Sequence, residues 1–469
     1  MTYTSKKGIL YEILAVTAGL TAAMTPPPLG LGQSAMWVIG MMLWAIINWI
    51  TRVIPDFAVL ILMCCGWVVL RIMPFDAAFV SFTGTTVWLL VGALGIGVAV
   101  TKSGLISRTA LYIMKLCAPT YRGQVFAVLM AGLVLSPFIP STTAKVAVAG
   151  ALSTVVGENL GLIVRSPAMT GIWLAMYTGF SLCSPIILSA SYFAYMILTL
   201  MPIEVQKQFS FGYWLIAMLP WGVFVTLSCF AAIVLLYSPE EKINLKREDI
   251  DEMIKRLGPL SKNEKITLTV IFCCMICWIF EKRLGVPAAI PALFGMSLLL
   301  CLGVISKTDY NTKISWSLIT FVGSAISLAA VITSVGLDTW IAATTAPLLG
   351  GIVSNLYLFL ITVSAAIILT RFIIIDPMTC FTLYIVVLSP FCVDAGVSPW
   401  VLGICAYTVC QPWFVRYQNI NFIIGFTSAG GDEKIDFKQT VVFCFVYNAV
   451  AIATLLLSIP YWRYLGLVK

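Results

Sequence analysis

Four short stretches carry polar or charged side chains inside segments that are otherwise apolar. The first, residues 135–145, has two prolines (Pro137 and Pro140), three consecutive hydroxyl residues (Ser141, Thr142, Thr143) and Lys145. The second, residues 177–185, holds Thr178, Gly179 and Ser184. The third, residues 370–379, brings Arg371, Asp376, Pro377 and Thr379, and the fourth, residues 411–419, brings Arg416, Tyr417, Gln418 and Asn419. Hydroxyls and amides are neutral hydrogen-bond donors, and lysine and arginine add fixed positive charge. An arginine fork matches a carboxylate with two parallel donors. Together these residue types describe an anion site, with Lys145 and Arg416 as its cations and the hydroxyls and amides as its neutral donors. Residues 172–200 and 400–426 contain no acid, so Arg416 has no partner within its own segment. Asp376 is open to two readings, a pair with Arg371 across the arms of its own segment or a pair with Arg416 across the site.

Such residues need a scaffold that tolerates them. In hydrocarbon every backbone polar group must be satisfied internally, so a broken helix persists only where it is buried in protein or lines a watery cavity. Each stretch is therefore read as a break where half-helices meet, with helix N-termini supplying further positive potential.

The surrounding chain is 60% hydrophobic and 10% charged over 469 residues, with a mean hydropathy of +1.00. That balance defines a multi-spanning membrane protein. There is no histidine, which excludes His-ligated metal sites and His-based acid–base catalysis. The fourteen cysteines lie almost wholly in apolar runs and read as small hydrophobic filler rather than zinc ligands. No GxxxxGK[ST] motif is present. An enzyme would need a nucleophile–base pair or metal ligands at membrane depth, and a channel would not need paired broken helices. No cofactor, metal or nucleic-acid partner is expected.

Apolar runs of roughly 20 residues mark spans at 9–24, 35–50, 58–73, 87–100, 172–200, 213–237, 266–279, 288–304, 318–335, 400–426 and 441–457. Two more, about 124–156 and 352–393, are read as re-entrant hairpins. Lys6, Lys7, Arg52, Lys102, Arg108, Lys115, Arg122 and the charged segment 238–265 all fall on one face if the first hairpin enters and leaves on the same side. By the positive-inside rule that face is cytoplasmic, the first span is retained, and Lys469 lies outside. The basic segment 102–122 is expected to lie on the membrane surface, with a solvated linker as the alternative.

The chain also repeats. Residues 98–105 and 330–337 read alike, with Gly104 and Gly336 at 336 − 104 = 232 positions apart. The same shift carries the first hairpin's break to the second and the break at 177–185 onto 411–417. The expected division is an N-terminal span (1–34), a first repeat (35–237), a linker (238–265) and a second, inverted repeat (266–469). Interrupted helices at matched positions of inverted halves point to a transporter site at the midplane.

Pro140-Ser141-Thr142-Thr143-Ala144-Lys145 resembles the Pro-Ser-Asn-Thr-Ala-Arg hairpin signature of the divalent anion:sodium symporter (DASS) family, in its bacterial and plastid dicarboxylate/tricarboxylate exchanger branch. Pro26-Pro27-Pro28-Leu29-Gly30-Leu31, Thr101-Lys102-Ser103-Gly104-Leu105 and Tyr461-Trp462-Arg463 resemble it too. The resemblance implies an all-α polytopic homodimer of about eleven spans, two inverted repeats and two hairpins, in which a transport domain moves elevator-fashion against a scaffold. It maps carboxylate binding onto Ser141, Thr142 and Thr143, and a second patch onto Tyr417, Gln418 and Asn419. The chain departs from the signature at Thr142, where asparagine is expected. The second Ser-Asn-Thr motif is absent, its region reading Ile374-Ile375-Asp376-Pro377-Met378-Thr379. In symporting members those asparagines build the sodium sites. The expected function is thus secondary transport of organic di- or tricarboxylates in exchange for a counter-anion, in the plasma (inner) membrane, with sodium- or proton-coupled symport as the alternative.

Overall fold

The computed structural model describes residues 6–239, 247–337, 339–340, 344, 355–374 and 376–469. Lys242, Lys246, Ile375, the first five residues and the start of the expected second hairpin lie outside the described residues. The described chain is helical, with no strand beyond one isolated bridge between Val397 and Val468. Among the described residues seven helices are long and apolar enough to cross a membrane: Lys6–Met24, Gln33–Thr51, Thr85–Ser103, Tyr121–Phe138, Phe211–Leu236, Trp316–Ser334 and Phe437–Tyr464. Shorter apolar helices run over Asp56–Val69, Ala289–Cys301, Leu356–Thr370, Pro377–Val393 and Pro399–Val409.

Each expected break is a real interruption with a local cause. Tyr121–Leu135, capped by Thr120, ends in a 3-10 turn at Ser136–Phe138, where Pro137 cannot donate a helical hydrogen bond. The chain restarts as Thr142–Asn159 with Ser141 as its cap. In the second half Leu356–Thr370 stops and Pro377–Asp394 restarts behind the cap Asp376, with Pro377 at the first helical position. The helices of both pairs have 15 and 18 residues. A 15-residue helix rises about 22 Å, short of a ~30 Å hydrocarbon core. Tyr121 at the start of the first pair donates to the carbonyl of Ala168 in the helix that follows the pair.

The two interrupted spans follow the same logic. Pro167–Tyr177 passes into a π-helical turn at Thr178–Leu182 and two 3-10 turns before Tyr192–Thr199. Pro399–Val409 gives way to an extended stretch and a 3-10 turn at Arg416–Gln418 before Ile420–Ser428.

The basic segment folds as the amphipathic helix Leu105–Leu116, which buries Leu105, Ile106, Leu111 and Met114. It also buries Arg108, which bonds Glu264 at 2.5 Å and the carbonyls of Leu257, Gly258 and Pro259. Lys115 pairs with Asp251. The helix thus anchors the charged linker to the rest of the fold. Lys102 bonds Asp309 at 2.6 Å and, with Lys313, holds that carboxyl well below the usual carboxylate range.

The first hairpin packs tightly against the broken span beside it. A methyl group on Gly132 would stand 2.4 Å from the Gly179 carbonyl carbon, and one on Gly179 would stand 2.2 Å from the Leu129 oxygen. Small residues let the two backbones touch. Gly132→Ala and Gly179→Ala are each expected to destabilise by about 1–3 kcal/mol, read as a lower unfolding midpoint in detergent. Because they open the same contact, the double variant should cost less than the sum.

Candidate functional site

The four breaks converge. Ser141 caps Thr142–Asn159 by accepting from Ala144 N at 3.3 Å, and Asp376 caps Pro377–Asp394 by accepting from Thr379 N at 2.7 Å. Asn419 caps Ile420–Ser428, accepting from the amides of Asn421 (3.0 Å) and Phe422 (3.1 Å). Ser191 caps Tyr192–Thr199. Cap or first-turn residues of all four helices line one cavity of about 990 Å³: Ser141 and Thr143, Tyr192, Asp376 with Pro377 and Met378, and Ile420 with Tyr417 beside it. The facing wall comprises Arg52–Phe57, Leu94, Lys313, Ser315, Ser317, Leu318 and Phe321. Arg52 follows the end of Gln33–Thr51 and Lys313 ends the helix Lys307–Lys313, so the cavity extends to the ends of those helices. Each helix start leaves backbone N–H groups without intrahelical partners and carries the positive end of the helix dipole.

The candidate residues divide by the side of the helix they occupy. Ser141, Thr143, Asp376 and Tyr417 line the cavity. Thr143 Oγ1 donates to Asn421 Oδ1 at 2.9 Å, while Asn421 Nδ2 is buried with no bonded partner among the described residues. Thr142 faces inward, its hydroxyl 3.2 Å from Ser191 Oγ. Lys145 is one turn further on the Thr142 face and wholly buried. Its Nζ lies 2.6 Å from the Ala190 carbonyl, 2.7 Å from Ser184 Oγ and 3.2 Å from Ser136 Oγ. Those hydroxyls give their own protons to the carbonyls of Phe180 and Gly179, leaving only lone pairs for the lysine. Three acceptors around Nζ match the three donors of an ammonium.

Gly179 is a packing residue, and the buried hydroxyls of Thr178 and Thr379 have no bonded partner among the described residues. Gln418 Oε1 accepts from Phe414 N at 2.8 Å, and Asn419 Nδ2 donates to the Gln411 carbonyl at 3.0 Å, so both amides hold the backbone of their break.

The two arginines differ in their settings. Arg416 finds an acid outside its own segment. Its guanidinium forms a two-pronged pair with Asp432 at 2.5 and 2.6 Å and lies over the Phe437 ring at 4.5 Å, half exposed. It keeps the Asp432 carboxyl below its usual range. The chain reaches this partner by turning back through Gly430 and Gly431, both at positive φ. Arg371 is wholly buried and bonds the carbonyls of Cys410 (3.1 Å), Ile374 (2.7 Å) and Gln418.

Sequence reasoning missed Asn421, Tyr192, Met378 and Arg52. Asn421 had a signal, as a second asparagine two positions past a cap. Tyr192 had none, because its role depends on where the preceding 3-10 turns deliver it.

An all-helical membrane fold whose broken helices meet at a polar cavity is the architecture of a secondary transporter. The chain belongs to the family described as "Sodium:sulfate symporter transmembrane region", which it matches over residues 6–468. It is 26% identical over 344 residues to Dicarboxylate transporter 2, chloroplastic, of Spinacia oleracea, covering 70% of this chain and 60% of that protein. It is 26% identical over 352 residues to Inner membrane protein YbhI of Escherichia coli K12 (72% and 73%). It is also 26% identical over 274 residues to the L-tartrate/succinate antiporter of Shigella sonnei (55% and 55%). The alignments span about three fifths of the length of the chloroplast relatives. The fold is similar to the solved transporter YdaH of Alcanivorax borkumensis (TM-score 0.59, 13% identity, 98% of each chain). It is also similar to MtrF of Neisseria gonorrhoeae (TM-score 0.54, 13% identity, 95% and 93%).

The division of the hairpin helix makes a prediction. Thr143→Val should weaken anion binding at least about tenfold, because it removes a hydroxyl from the cavity lining and releases Asn421 Oδ1 from its bond behind it. Thr142→Val should instead lower the midpoint, by about 1 kcal/mol of lost hydrogen bonding. Isothermal titration and thermal unfolding of the two purified variants check this.

Proposed function

We propose that this protein is a secondary transporter that exchanges one organic di- or tricarboxylate for another across a bacterial-type inner membrane, with its N-terminus cytoplasmic. The observation that carries the reading is the setting of Lys145, whose Nζ is held among three oxygens one turn beyond the tip that lines the cavity. Arg371 occupies a comparable nest of carbonyls beside the second tip. In symporters of the resembling family sodium ions supply positive charge near the tips; here side chains do. The fixed charge is therefore assigned to Lys145 and Arg371, while Arg416 travels paired with Asp432.

Covalently attached cations bear directly on coupling. Moving an uncompensated charge through the membrane interior costs about 2.5–3.5 kcal/mol on insertion scales. An empty site would return slowly, whereas a site loaded with an anion is closer to neutral. Exchange is favoured over net uptake for that reason.

The elevator reading, the inverted repeats and the homodimer rest on the resemblance and on the matched elements. The second pair of helices starts 356 − 121 = 235 and 377 − 142 = 235 positions after the first. The cavity extends to Arg52, which the positive-inside reading places on the cytoplasmic face, so this conformation is assigned as open to the cytoplasm.

In proteoliposomes, uptake of labelled dicarboxylate should depend on internal dicarboxylate and be indifferent to a sodium gradient. Strong uptake into anion-free vesicles driven by sodium would overturn the exchange reading in favour of symport. Lys145→Gln should lower exchange at least about tenfold in protein that still elutes as a folded species.

A further inference from the structure

The two hairpin tips present opposite chemistries to the cavity. At the first, Ser141 and Thr143 line the cavity with hydroxyls; Ser141 Oγ accepts from the Ala144 amide and has a proton to give, while Thr143 gives its own to Asn421 Oδ1. That side suits a carboxylate. At the second, the lining residues are Asp376, Pro377 and Met378, none of which has a donor in its side chain. Pro377 also removes an N–H from the first turn. Asp376 commits Oδ2 to the Thr379 amide at 2.7 Å, and no donor among the described residues meets Oδ1. A carboxylate oxygen only accepts. A ligand group lodged there must therefore donate, and a second carboxylate placed against it would meet like charge.

We propose that Asp376 is a specificity-determining residue that selects organic anions bearing a hydrogen-bond donor, a hydroxyl or an ammonium group, over unsubstituted dicarboxylates of the same length. The inference rests on the transport reading above and narrows its substrate class. A carboxylate sits at the first tip, and the donor on the neighbouring carbon points to Asp376 Oδ1. The remaining carboxylate turns toward Arg52 on the facing wall, which lines the same cavity. Sites built to hydrogen-bond a substrate group discriminate strongly against analogues that lack it, because the site's own polar atom is left unpaired.

The test compares three four-carbon dicarboxylates as competitors of exchange in proteoliposomes of the full chain: succinate, 2-hydroxysuccinate and 2-aminosuccinate. The wild type should prefer at least one substituted anion over succinate by about tenfold or more. The better of the two identifies hydroxyl or ammonium as the donor. Asp376→Asn retains a capping side chain, so the helix start is preserved, and Asp376→Ser reproduces the cap of the first tip. In both variants the preference should fall to within about threefold, chiefly by weaker competition from the substituted anion. A helix-capping role alone would scale all three competitors together and leave the ratio intact. Equal competition by succinate in the wild type, or an unchanged ratio in Asp376→Asn, overturns the inference while leaving exchange standing. Absence of exchange with all three anions overturns the transport reading and this inference with it.

Discussion

Inside a membrane, a helix that stops must find partners for the groups it leaves bare, and here the side chain of Lys145 does much of that work. From the second helix of the first hairpin it reaches across to Ser136 at the break in the same hairpin, and to Ser184 and the Ala190 carbonyl in the neighbouring broken span. One ammonium thereby ties together three irregular turns that have few hydrogen bonds of their own. The hydroxyls it contacts are in turn fixed by the carbonyls of Gly179 and Phe180, carbonyls that the π-helical turn leaves exposed. The glycine contact between Gly132 and Gly179 brings the two backbones close enough for this chain of bonds to close.

Arg371 performs the equivalent task in the second half with different chemistry. Its planar guanidinium gathers carbonyls from its own break, from Cys410 and from Gln418, which no single ammonium could span. Both side chains are wholly buried, Lys145 among two hydroxyls and a carbonyl and Arg371 against the carbonyls just named. Each therefore organises its tip and also sets a positive potential behind it. The tips themselves then differ only in what they turn toward the cavity, hydroxyls on one side and a carboxylate on the other.

The breaks were legible because proline, consecutive hydroxyls and charges have no place in an apolar run, and each such stretch does interrupt its helix. The sides of those helices were harder to read. Helical geometry places Lys145 three residues after Thr142, on the same face, and Thr143 about 100° from Thr142 and about 160° from Lys145. That spacing already separates the buried pair from the cavity-lining hydroxyl, yet grouping residues by motif treats all as one site. Arg416 was misjudged for a different reason. Its partner Asp432 lies 16 positions on, beyond a helix and a double-glycine turn, and an acid search confined to one span could not reach it. The cavity's facing wall, with Arg52 and Lys313, comes from spans far away in sequence, and only packing assembles it.

Charge placement divides the molecule in a way that bears on movement. Lys102–Asp309, Arg108–Glu264 and Lys115–Asp251 join the basic-face ends of the helices to the charged linker and its neighbours, each cation with its own acid. Around the breaks, by contrast, Lys145 is satisfied by oxygens without charge, while Arg416 at the rim is neutralised by Asp432. Neutral oxygens satisfy the geometry of a cation but leave its charge uncompensated. On the proposed reading, an anion in the cavity supplies the charge that those oxygens do not. By that reading the same bonds that repair the broken helices make the site dependent on its cargo. A sodium ion could leave an empty site and take its charge with it; the lysine side chain stays with the protein.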